Sequence, residues 1–328
     1  MKEEDLNKLR RDLKDLAAKV ELIIHEKEND PFSQNLKKFA QAISEDFGEK
    51  ITLTEKDKSF DLPGLPALTL ACENRRNIHY LTVPEGYELH PFTQALKFIA
   101  QGHAPLSTPT KKVLDRISHP AEIWVLVSPY CTNCPKVVET VIALASTNPL
   151  ISTFIIDVQY FKELADEYDI KSVPATIIDQ QLVLIGQVTQ EKLSELLAQR
   201  GTLNYDRELI RSLIERGQIS RAADLICKGK GREAILSLFE EGDLSMRMGV
   251  LVVFEEALEN GPGAVRGMVP QLIELLSHED GRIRGDIADL LGKIGDPRAI
   301  PHLERLAADP DPDVMEASAE ALEMLRDH

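Results

Sequence analysis

Ala121-Glu122-Ile123-Trp124-Val125-Leu126-Val127 is followed, after three residues, by Cys131-Thr132-Asn133-Cys134-Pro135. The first stretch is short, apolar and rich in β-branched and aromatic side chains, as a buried strand is. The second opens a run over 134–146 whose apolar spacing is helical. A C-x-x-C pair set between a strand and the first turn of a helix reads as a redox pair. The free N–H groups and the dipole of a helix N-terminus favour an anion. Cys131 is therefore expected to have a lowered pKa and to attack disulfides as a thiolate. Cys134, one turn in, is placed to resolve the mixed disulfide. Half a zinc site and an inert reduced pair are the competing readings. Structural zinc takes four ligands, commonly two such pairs, whereas Cys72 and Cys227 each stand alone.

Outward from the pair, the pattern continues as a strand over 153–157, a short helix over 161–168, a hairpin over 175–178 and 182–185, and a closing helix over 190–199. Pro174 stands just before the first hairpin strand, where a missing N–H is harmless. Upstream the order recurs: a strand at 20–24, a helix over 31–47, strands at 67–71 and 78–83, and a helix over 92–101. Residues 73–77 form the turn of that strand pair, and 102–109, with two prolines, reads as a linker. Ala18-Lys-Val-Glu-Leu-Ile-Ile matches the stretch from Ala121, and Leu65-Pro66-Ala67-Leu68 matches Val173-Pro174-Ala175-Thr176. Two matches in the same order make the block an internal repeat. Its crossovers demand parallel strands in a two-layer α/β fold.

Downstream of about residue 205 no strand pattern remains. Val269-Pro270-Gln271-Leu272 recurs 31 residues later as Ile300-Pro301-His302-Leu303, and Ile283, Ile287, Leu290, Leu291 and Ile294 recur as Val314, Ser318, Ala321, Leu322 and Leu325. Paired helices at such a period stack as a solenoid, because one pair cannot bury its own apolar face. The expected organisation is an N-terminal helix over 1–17, α/β folds over 18–108 and 109–204, and helix pairs over 205–328.

The cysteine motif followed by Val173-Pro174 resembles the active-site arrangement of thioredoxin-fold domains. The doubled block resembles the tandem-thioredoxin N-terminal domain of the alkyl hydroperoxide reductase flavoprotein subunit, and the related protein disulfide oxidoreductases. The C-terminal region resembles HEAT-like repeats. The fold class so implied is two tandem thioredoxin-like folds followed by an all-α solenoid. By the same resemblance Pro174 is a cis-proline that shapes substrate docking. The first half is silent: the strand ending at Ile24 runs into His25-Glu-Lys-Glu-Asn-Asp, with no cysteine. Pro84-Glu85-Gly86-Tyr87-Glu88 is similar to a family segment whose glutamate reaches toward the cysteine pair, which assigns that part to Glu88. Here Leu89-His90-Pro91 separates it from Phe92-Thr93. The resemblance implies protein disulfide or thiol partners, including a peroxiredoxin and an upstream reductase.

Composition bounds the rest. The 328 residues carry 38 Lys and Arg against 54 Asp and Glu, a formal charge of −16, which argues against nucleic acid or an anionic membrane as partner. No apolar run is long enough to span a bilayer, and the charged start has no signal-peptide core. A cytoplasmic protein is expected. No G-x-G-x-x-G follows a strand, so neither flavin nor nicotinamide is expected as cofactor. The eight histidines show no ligand spacing, so no metal is expected, and His25 reads as a surface-turn residue. Two function classes follow. One is a thiol–disulfide oxidoreductase with a partner-binding repeat domain. The other is a repeat adaptor whose thioredoxin-like part is a redox-sensitive docking module.

Overall fold

The computed structural model describes residues 3–55 and 62–327; residues 1–2 of the expected N-terminal helix, 56–61 and 328 lie outside the described residues. The chain divides into two compact units, the first ending at Arg200 and the second beginning at Gly201.

The first unit opens with α1 (Glu3–Leu13), whose Leu9 and Leu13 are buried. Then come β1 (Val20–His25), α2 (Pro31–Asp46), β2 (Ile51–Glu55), β3 (Ala67–Cys72), β4 (Arg75–Leu81), a 3-10 turn (Gly86–Glu88) and α3 (Leu89–Gln101). After α4 (Thr108–Leu114) the second half follows: β5 (Ala121–Val127), α5 (Cys134–Thr147), β6 (Ile151–Asp157), α6 (Lys162–Glu167), β7 (Ala175–Ile178), β8 (Leu182–Ile185) and α7 (Gln190–Ala198). Local chemistry sets these boundaries. Asp30 caps α2 by accepting the Ser33 N–H at 2.6 Å, and Pro31 follows it in the first turn, where its missing N–H costs nothing. Leu36, Phe39, Ala40 and Ile43 then share one buried face.

The strands form one eight-stranded sheet in the order β2-β1-β3-β4-β6-β5-β7-β8. The order is one four-strand pattern used twice. β1 pairs parallel with β2 from Val20↔Ile51 and antiparallel with β3. In the same way β5 pairs parallel with β6 from Ala121↔Ile151 and antiparallel with β7. The halves join where β4 pairs parallel with β6, Ile78 opposite Thr153. Asn77, buried at that seam, donates from Nδ2 to the carbonyls of Ala145 at 2.8 Å and Ile151 at 2.7 Å. The peptides Leu65–Pro66 and Val173–Pro174 are both cis.

Four details differ from the sequence reading. β2 is a strand not anticipated; its five residues hold only Ile51 and Leu53 as apolar side chains, and it lies at the sheet edge. The expected linker ends inside a helix: Ser107 caps α4 through the Thr110 N–H, and Pro109 sits in its first turn. β4 begins at Arg75, which shortens the turn to two residues, Glu73-Asn74. His25 is not on a surface turn. It is the last residue of β1, 3% exposed, with Nε2 3.1 Å from Thr69 Oγ1, which in turn lies 2.9 Å from His79 Nδ1. Burial, then the neighbouring His25, pushes the His79 imidazole down to about 3, so it is held neutral.

The second unit is helical throughout its described residues: α8 (Leu203–Glu215), α9 (Ile219–Cys227), α10 (Arg232–Glu241), α11 (Leu244–Asn260), α12 (Pro262–Arg266), α13 (Val269–Leu275), α14 (Gly281–Ile294), α15 (Ile300–Leu303) and α16 (Pro312–Asp327). Ile283, Ile287, Leu290, Leu291 and Ile294 are all buried, as are the equivalent Val314, Ser318 and Ala321. α14 and α16 approach closely at Gly292, where a Cβ would stand 2.7 Å from the Ala321 backbone. Many of the carboxylates sit at turns and hold them. Asp280, Asp296 and Asp309 each accept the backbone N–H two residues on. Asp309 also takes a two-pronged bond from Arg284 at 2.7 and 2.9 Å. No described helix is long and apolar enough to cross a membrane.

Candidate redox site

β5 delivers the chain to the site, and α5 leaves it. Ile123, Val125, Leu126 and Val127 are fully buried and Trp124 nearly so, which fixes the strand end in the sheet. The chain then turns, with the Cys131 N–H donating to the Ser128 carbonyl at 3.0 Å. Cys131 and Cys134 are joined as a disulfide, with Cα atoms 5.5 Å apart. Cys134 is the first residue of α5 and is completely buried, whereas Cys131 is partly exposed. The Cys134 backbone N–H, one of the helix's free donors, lies 3.1 Å from Cys131 Sγ. The first turn of α5 has no carboxylate to oppose negative charge on that sulfur. The Val173 carbonyl oxygen, just before Pro174, is 3.8 Å from the same sulfur. Thus Cys131, Cys134 and the Val173-Pro174 peptide meet at one point.

Glu88 has no hydrogen bond to that point. It ends the 3-10 turn Gly86–Glu88, is 2% exposed, and forms no hydrogen bond through either carboxylate oxygen among the described residues. Burial, then the like charge of Glu139 on α5, pushes its carboxyl up to about 7. Tyr80, fully buried on β4, has its hydroxyl pushed up by burial and then by Glu88. Glu139 lies five residues beyond Cys134, about 7.5 Å along the helix axis. Glu88 therefore faces the second turn of α5 and is not bonded to either cysteine.

Two neighbours were not anticipated. Tyr130, next to Cys131, is 80% exposed. The signal was present in the sequence: an aromatic in the tight turn between strand and helix belongs to neither buried face. Glu139 was the other. It also pairs with His90 at 3.5 Å, and His90 belongs to the very insertion that follows Glu88.

Doubled sheet, silent half and disulfide-bonded C-x-x-C at a helix start together define a thioredoxin-like fold carrying a redox-type cysteine pair. Comparison with known proteins agrees. The family model described as a thioredoxin domain matches residues 121–198, and that described as HEAT repeats matches 258–323. The NTD_N/C domain of the alkylhydroperoxide reductase of Enterococcus faecalis superposes with a TM-score of 0.54 at 25% identity, over 60% of this chain and 99% of that one. A protein disulfide oxidoreductase from Aeropyrum pernix shares the fold, with a TM-score of 0.53 at 19% identity over 60% of this chain and 92% of that one. In sequence, an alkyl hydroperoxide reductase chain of Staphylococcus epidermidis is 28% identical over 173 residues, 51% of this chain and 32% of that protein. An NADH dehydrogenase of Ferdinandcohnia aciditolerans is 31% identical over 130 residues, 38% of this chain and 24% of that protein. The chain thus spans a third or less of the length of these curated relatives.

Proposed function

We propose that the chain is a cytoplasmic thiol–disulfide oxidoreductase that exchanges electrons with protein partners through Cys131 and Cys134. The observation that carries this reading is the contrast between the two sulfurs, Cys131 reachable and facing a helix N–H, Cys134 sealed beneath it. In the reduced protein, the Cys131 thiolate attacks one sulfur of a partner's disulfide. A new S–S bond forms, the partner's bond breaks, and the departing partner thiolate takes up a proton. Cys134 then gives up its proton and attacks the Cys131 sulfur, which breaks the mixed disulfide and frees the second partner thiol. Counted from the dithiol, two electrons and two protons pass to the partner, and the Cys131–Cys134 disulfide remains. A dithiol from an upstream reductase reverses the sequence and restores the pair.

Pro174 is assigned to shaping how the partner's chain docks, supported by the short approach of the Val173 carbonyl to Cys131. Glu88 is assigned a positioning role. Its buried carboxyl bears on the pair through charge rather than through a bond. The relatives named as alkyl hydroperoxide reductases support a peroxiredoxin as one acceptor. The repeat domain over 205–328 is assigned to partner binding.

Two expected outcomes test this reading. Alkylation of reduced Cys131 as a function of pH should give a fitted pKa below the ordinary thiol value of roughly 8.5, because the helix N-terminus stabilises the thiolate. A fitted value at or above that would remove the activated thiolate. Separately, a fragment ending at residue 204 should fold and reduce a small disulfide at close to the full-chain rate, since every residue assigned to the chemistry lies in the first unit. A fragment that folds but has lost turnover would place part of the chemistry in the repeats.

A further inference from the structure

One helix of the repeat unit keeps an apolar row in water. On α11, Met246, Val250, Val253, Phe254 and Ala257 are buried. On the opposite side Leu244, Met248 and Val252 are 64%, 50% and 43% exposed. Their i, i+4, i+8 spacing sets them in a single stripe, roughly 12 Å long at 1.5 Å per residue. Exposed apolar residues scattered singly mean little, whereas a contiguous row marks an interaction surface.

At the two ends of the stripe exposed carboxylates outnumber the bases that pair with them. Ahead of it stand the exposed Glu240, Glu241 and Asp243, and beyond it, continuing along α11, the exposed Glu255 and Glu259. Arg207 holds Glu241 and Lys293 holds Glu255, but Glu240 and Glu259 form no ion pair among the described residues. The only base on α11, Arg247, is 5% exposed and turned toward Asp280 at 3.7 Å. From residue 206 onward the sequence has 15 Lys and Arg against 25 Asp and Glu.

We infer that this stripe docks a cationic amphipathic helix of a partner protein. A partner helix with apolar residues at matching spacing covers Leu244, Met248 and Val252, and Met248, unbranched and pliable, adapts to its shape. Lysines or arginines at the partner's two ends meet the carboxylates that bracket the row. A second copy of this chain is a poor occupant. The carboxylates that bracket the row on one copy would face those of the other. The inference goes beyond the redox reading and does not depend on the cysteine pair.

The test uses the full chain and a fluorescent 18-residue peptide of leucine and lysine at helical spacing. Its scrambled isomer and its leucine–glutamate counterpart serve as controls. Binding of the helical cationic peptide should be about tenfold or more tighter than that of either control, and should weaken as salt rises. Met248→Ser with Val252→Ser should lose about tenfold in affinity while cysteine alkylation and thermal unfolding stay unchanged. Glu240→Gln with Glu259→Gln should flatten the salt dependence. Equal binding of the scrambled peptide, or unchanged binding by the serine variant, would overturn the inference. So would a wild-type dimer in sedimentation that the serine variant dissociates.

Discussion

Replacing Cys131 by serine should bring disulfide exchange down to the uncatalysed rate, and replacing Cys134 by serine should trap partners as mixed disulfides. The reason is geometric. An incoming disulfide must align three sulfurs, and Cys134, fully buried at the start of α5, offers no approach. Cys131 is partly exposed beside Tyr130 and faces the Cys134 N–H. Once Cys131 is bonded to a partner, the sulfur able to attack from within is Cys134, three residues away. Without it the adduct persists until an external thiol removes it. Non-reducing electrophoresis and intact-mass measurement read the adduct directly, and it should vanish on treatment with a dithiol. If Cys131→Ser were the variant that accumulated adducts, the two roles would be reversed.

Glu88→Gln should stabilise the protein at alkaline pH and draw the Cys131 thiol down. The Glu88 carboxyl sits near 7 because burial, then Glu139, disfavours its charge. A carboxyl raised in the folded state above its unfolded value of about 4.3 stabilises the fold fully below that value, and the benefit is lost as pH rises through 7. Above pH 7 the native protein therefore carries an ionised, buried carboxylate at a cost of up to ~4 kcal/mol, since each tenfold change in proton affinity is worth roughly 1.4 kcal/mol. Glutamine keeps the shape and removes that cost. Unfolding by denaturant should show the variant more stable than wild type at pH 8, with the gap closing or reversing toward pH 5. The ionised carboxylate also opposes a thiolate nearby, so the alkylation pKa of Cys131 should fall by about half a unit in the variant. Overlaid pH profiles would leave Glu88, and the silent half with it, a purely structural part.

Much of this was legible in the sequence because the informative residues obey strong local rules. β5 is apolar at nearly every position, since both of its faces are covered, and the helix after it announces itself by periodicity. What the sequence concealed depends on partners distant along the chain. Ile51–Glu55 carries too few apolar residues to read as a strand; it is one because β1 offers a free edge beside it. Pro109 reads as part of a linker, yet a proline in the first turn after a capping serine starts a helix as readily as it breaks one. His25 looked like a turn residue because its burial rests on Thr69 and His79, 44 and 54 positions away. A segment pattern points to Glu88, but that its charge is disfavoured depends on its burial and then on Glu139, neither of which the segment shows.

The pairing of β4 with β6 has a consequence for solubility. Two separate four-stranded sheets would present four open edges to the solvent, each a row of unsatisfied N–H and C=O groups able to recruit a strand from another molecule. Joined along Ile78–Leu81 and Thr153–Ile156, the halves hide two of them. The two that remain are β2, whose threonines and terminal glutamate make a poor template for stacking, and β8, only four residues long. A half without a C-x-x-C pair thus still shields its neighbour from sticking to other chains, which is reason enough for the doubled sheet to persist as a unit.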